Sequence, residues 1–89
     1  MSVSKVYFTD MRCKVGTSLL EKLDKLMIAA GIGEIDFENK FVAIKLHFGE
    51  PGNLSFLRPN FAKAVADRVK ALGGRPFLTD CNTLYVGRR

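Results

Sequence analysis

The residues best placed to do chemistry follow a run of β-branched and aromatic side chains. FVAIKLHF, residues 41–48, leads at once into Gly49, Glu50, Gly52 and Asn53, residue types that build ligand loops at strand ends. His47 is the sole histidine. Its imidazole changes charge near neutral pH and can act as a general base, a metal ligand or a hydrogen-bonding contact. The plainer reading packs it between strand and helix with its nitrogens satisfied by backbone. Lys45, two positions earlier, shares a strand face with His47 and either points to solvent or partners an acidic ligand. Glu50 and Asp80 are the strongest carboxylates. Paired with His47 they offer an acid and a base, and with oxygen donors from Asp10 and Asn82 they could hold a cation. Their plainer roles are a solvated loop residue for Glu50 and a turn or cap for Asp80. His47, Glu50 and Asp80 are therefore the catalytic candidates, with no metal site established. Asp10, Cys13, Lys45, Gly49, Asn53, Arg58, Cys81 and Asn82 are the ligand-binding candidates.

Gly49 and Gly52 permit a tight loop. Arg58 precedes Pro59 where a helix is expected to open, so its side chain and the first amides could hold an anion. G-E-P-G-N is no phosphate-binding fingerprint, and Ser55 and Thr83 lack a visible base, so neither is read as a nucleophile. Two cysteines, Cys13 and Cys81, are too few for a disulfide scaffold and form no C-x-x-C pair. Each reads singly as an inert thiol, although both follow expected strands and could share one sheet edge.

The elements that must position these groups alternate regularly. VSKVYFT, residues 3–9, has strand composition and Asp10 closes it. Ser18 and Glu21 form an S-x-x-E capping box. Leu19, Leu20, Leu23, Leu26, Met27 and Ala30 then recur at helical spacing until Gly31. A second strand spans 41–48. A second helix opens at Pro59, buries Phe61, Val65, Val69 and Leu72, and ends at Gly73-Gly74. A third strand, 76–79, leads into Asp80.

The reading is an α/β fold: one β-α-β-α-β domain over residues 1–89 with a small parallel three-stranded sheet. Parallel strands joined by helical crossovers bring the loops at Asp10, His47 and Asp80 to one edge, where open α/β sheets bind ligands. A free-standing parallel sheet of three strands leaves edges and faces uncovered. The chain is accordingly expected to be an N-terminal fragment of a longer protein within a larger α/β domain.

A hydrophobic content of 47% marks a folding sequence, and no apolar run approaches the ~20 residues that cross a bilayer. The N-terminus has no signal-peptide core, so a cytoplasmic location is expected. A net charge of +5 invites a nucleic-acid reading. Lys22, Lys25, Lys63, Arg68 and Lys70 are interspersed with Glu21, Asp24 and Asp67, which reads as ordinary solvated faces and makes nucleic acid an unexpected partner.

VAIKLHFGEPGN, the helix beginning LRPNF and the closing LTDCNTLYVGRR together resemble the N-terminal region of the uncharacterised iron–sulfur-centre proteins, domain of unknown function 362. The resemblance is strongest over 42–57 and 76–88. It implies a much longer chain, many relatives carrying a ferredoxin-like module with C-x-x-C-x-x-C runs and [4Fe–4S] clusters. No such run occurs here, so no cofactor is expected in these residues. Three functions follow: the substrate or scaffold part of an iron–sulfur redox protein, a metal- or anion-binding enzyme domain, or an interaction domain that self-associates or pairs with the rest of the protein.

Overall fold

The computed structural model describes residues 3–47, 49, 52 and 54–80. It divides into two compact units, Met1–Asp36 and Phe37–Arg89.

The first unit holds α1 (Leu19–Ala29) and a 3-10 turn (Ile32–Glu34). Helix α1 starts where the capping box places it, with the Ser18 hydroxyl accepting from the Glu21 amide at 3.1 Å, a cap worth about 1 kcal/mol. The Ala30 and Gly31 amides close its last turn on the Leu26 and Ile28 carbonyls. Its apolar side chains Leu19, Leu20, Leu23, Leu26 and Met27 are half-buried, and none is fully buried. Residues 3–10 carry no strand. Val3, Val6 and Phe8 are each at least 85% exposed, so the strand-forming composition of this stretch finds no ladder partner among the described residues. The sheet described is correspondingly two-stranded, where three strands were expected.

The second unit pairs β1 (Phe41–Lys45) with β2 (Arg75–Thr79) in parallel and covers one face with α2 (Pro59–Ala71). Register runs from Phe41 opposite Arg75 to Lys45 opposite Thr79. Mixed helix and parallel strand is the α/β pattern expected from the alternation. Pro59 occupies the first turn of α2, where its missing N–H costs nothing. The helix ends in a Schellman motif: the Gly73 amide donates to the Lys70 carbonyl and the Gly74 amide to the Val69 carbonyl, both at 3.0 Å. Gly73 has φ +88°, the left-handed conformation that this cap requires.

Val42, Ile44 and Leu46 are half-buried, while Phe41, Ala43, Lys45 and His47 are exposed. Period-two alternation therefore sends the second set to the open face. Among the described residues the buried apolar ones are Ala62 and Val69, both on α2. Gly74 lies against this core: a Cβ there would stand 2.7 Å from Val69 Cγ1, 3.1 Å from Phe37 Cβ and 3.2 Å from Val42 Cγ2. Only glycine lets the chain turn into β2 that close to the helix.

Candidate functional site

Parallel pairing places the ends of β1 and β2 side by side. The Leu46 amide donates to the Thr79 carbonyl at 3.0 Å, which extends the ladder one step past Lys45 and brings the next residue of each strand to the carboxyl edge. There His47 Nδ1 stands 3.6 Å from Asp80 Oδ2, with the imidazole about half exposed and the carboxylate more sheltered. This is ion-pair range, longer than a formed hydrogen bond. Of the two ring nitrogens, Nδ1 is the one that faces the carboxylate. A proton on Nδ1 leaves the Nε2 lone pair available to accept a proton or touch a ligand.

Lys45 is exposed and, by strand alternation, on the same side as His47. Gly49, four residues past the end of β1, is buried with φ +86°, a left-handed conformation that a side chain would strain. Arg58 is the N-cap residue of α2, exposed and without a capping hydrogen bond from its side chain. Glu50, Asn53, Cys81 and Asn82 lie outside the described residues. Among the described residues no group of three or more His, Cys, Asp or Glu side chains is arranged to hold a metal ion.

Asp10 and Cys13 belong to the first unit. The Lys22 ammonium, on α1, donates to the Asp10 carboxylate at 2.7 Å, to the Asp10 carbonyl at 2.9 Å and to the Arg12 carbonyl. The Arg12 amide donates to the same carboxylate oxygen at 3.2 Å. The hydrogen bond from Lys22, followed by that from the Arg12 amide, holds the Asp10 carboxyl below the ordinary aspartate value of 3.8. Cys13 is a free, exposed thiol whose Sγ lies 3.9 Å from the Met11 carbonyl. Residue types alone made Lys22 a solvated helix residue. No signal in residue type or spacing set it apart, because helical periodicity tells which residues share a face and not which loop that face meets.

The model of one family, a domain of unknown function named DUF362, matches residues 42–89, just over half of the chain. The chain belongs to the DUF362 family. The match takes in β1 from Val42, α2, β2, His47 and Asp80, whereas Asp10 and Cys13 precede it. No curated protein and no solved structure matches the chain. No [4Fe–4S] cluster fits these residues by themselves, since a cluster takes four thiolates and the chain has two cysteines.

Proposed function

We propose that this DUF362 chain is the substrate-facing scaffold of an iron–sulfur redox protein, with His47 and Asp80 handling a proton at the carboxyl edge of the sheet. The observation that carries this reading is His47 Nδ1 facing Asp80 Oδ2 across the ends of adjacent parallel strands. Asp80 orients the imidazole through Nδ1, and Nε2 exchanges the proton with substrate. Lys45 adds positive charge on the same side, suited to an acidic substrate. Glu50, Asn53, Cys81 and Asn82, which follow His47 and Asp80 in sequence, contribute further ligand contacts with Gly49 and Arg58. The cluster is held by a cysteine-rich segment beyond these 89 residues, in keeping with the family resemblance, and the protein works in the cytoplasm. The remainder of the protein covers the open sheet face, on which Phe41 is 75% and Phe77 48% exposed.

The same reading includes residues 3–9 as a third strand. The Arg75 amide donates to the Lys40 carbonyl and the Thr79 carbonyl accepts from Leu46, so Arg75, Phe77 and Thr79 direct their backbone groups at β1 while Pro76 and Leu78 face the outer edge. Pro76 has no N–H to offer there. The receiving edge is therefore that of β1.

The single histidine makes a direct test available. Nitrogen-15 NMR of the imidazole in the 89-residue chain is expected to show the Nδ1–H tautomer for the neutral ring, and Asp80→Ala to release it to the Nε2–H form that free imidazole side chains favour. An Nε2–H ring in the unsubstituted chain, unchanged by Asp80→Ala, removes the acid–base pair. For the cluster, the native gene product is expected to have a mass well above 9.9 kDa and iron–sulfide charge-transfer absorption. Its absence there would leave a binding domain without redox chemistry.

A further inference from the structure

The loop between residues 10 and 17 and the facing side of α1 enclose an open cavity of about 480 Å³ within the first unit. Four cations line it, Arg12, Lys14, Lys22 and Lys25, against one carboxylate, Asp10. Three positive charges are thus left uncompensated. Lys22 is committed to Asp10 and to the loop carbonyls, which makes it the anchor that gives the cavity its wall. Arg12, Lys14 and Lys25 have no hydrogen-bond or ion-pair partner for their side chains among the described residues. Thr17 adds a hydroxyl to the lining, and α1 opens two residues later, so the positive end of its dipole adds to the field at that side. The volume suits a small molecule, whereas a nucleic-acid interface calls for an extended basic stripe.

We propose that this cavity binds a small multivalent oxyanion, with Arg12, Lys14 and Lys25 as its charged contacts. The residues that line it precede residues 42–89, the part that the family model matches, and include neither His47 nor Asp80, so the proposal stands or falls independently of the redox reading. Arg12 offers a planar fork for two oxygens of one phosphate or carboxylate, and the two lysines act as point charges on the others. The exposed Cys13 thiol lines the same cavity and reports its occupancy.

The test is protection of Cys13 from N-ethylmaleimide, a neutral reagent, in the 89-residue chain carrying Cys81→Ser so that one thiol remains. Pyrophosphate is expected to slow the labelling saturably, beyond the effect of sodium chloride at equal ionic strength. Arg12→Gln, Lys14→Gln and Lys25→Gln are each expected to weaken protection about tenfold, the loss of one hydrogen bond to a charged group. These side chains are on exposed residues, and an unchanged circular dichroism spectrum checks that the fold is kept. Lys63→Gln serves as the control, because Lys63 pairs with Asp67 at 2.7 Å on α2, and is expected to change nothing. Citrate as a second arm separates the sources: protection by pyrophosphate alone assigns a phosphate ligand, and protection by both a general oxyanion site. The proposal is overturned if neither anion protects, if Lys63→Gln weakens protection as much as the three cavity substitutions, or if a short oligothymidylate protects where pyrophosphate does not.

Discussion

Asp10 and Lys22 stand twelve residues apart in sequence, yet one ammonium joins three oxygens of the loop between them. A carboxyl held below the ordinary value of 3.8 binds fewer protons in the folded chain than in the unfolded one. The link is therefore intact above that value and is lost as pH falls through the lower folded pKa. Carbon-13 NMR is expected to place the Asp10 midpoint below 3.8, and Lys22→Met to return it toward 3.8; a midpoint at 3.8 with Lys22 present would rule out the clamp. Neither group carries a sequence signature of this role, because an exposed lysine on an amphipathic helix looks the same whether it meets solvent or a loop. His47 and Asp80 were legible for a different reason: a histidine near the end of one strand-like run and a carboxylate directly after another come to the same edge whenever those strands pair in parallel.

At the level of elements, both helices could be read closely. Ser18 with Glu21, Pro59, and Gly73-Gly74 are local signals whose physics acts within one turn, so tertiary contacts had little to override. Strands are different. VSKVYFT and FVAIK have similar compositions, but a strand exists only where another backbone completes its ladder, and residues 3–10 have no ladder here. This difference gives a direct measurement. In a two-stranded sheet the β1 amides that point at β2 are those of Val42, Ile44 and Leu46, while the Ala43 amide faces the open edge. If residues 3–9 add a third strand at β1, Ala43 is expected to be protected in hydrogen exchange alongside Val42 and Ile44. Exchange of Ala43 at the rate of an open amide, with Val42 and Ile44 protected, would leave the sheet with two strands.

Across the molecule, the buried apolar core described is Ala62 and Val69, and a chain of this size has little stability to spare. The approach of Gly74 to Val69 Cγ1 makes that point sensitive from both sides. Val69→Ala is expected to cost about 2 kcal/mol in urea unfolding, and Gly74→Ala about 1 to 3 kcal/mol by overpacking. Removing Val69 Cγ1 relieves part of the clash, so the double substitution should fall short of the sum by about 1 kcal/mol. Strict additivity would mean that the added methyl is accommodated elsewhere. Leu23 and Val65, which sequence periodicity also assigned to the apolar faces of the two helices, are half-buried, so truncating either is expected to cost less than truncating a fully buried residue of the same type. No described helix is long and apolar enough to cross a membrane. What the amino-acid sequence by itself determined were features whose causes are local: helix starts and stops, the two strands of the matched region, the identity of the acid–base candidates and the family. Tertiary structure alone decided which strand-like runs formed a ladder, which nitrogen of His47 meets Asp80, and that Lys22 folds back onto Asp10. Each of these depends on groups far apart in the chain, whose meeting is set by packing and backbone pairing and leaves no periodic trace in the residues themselves.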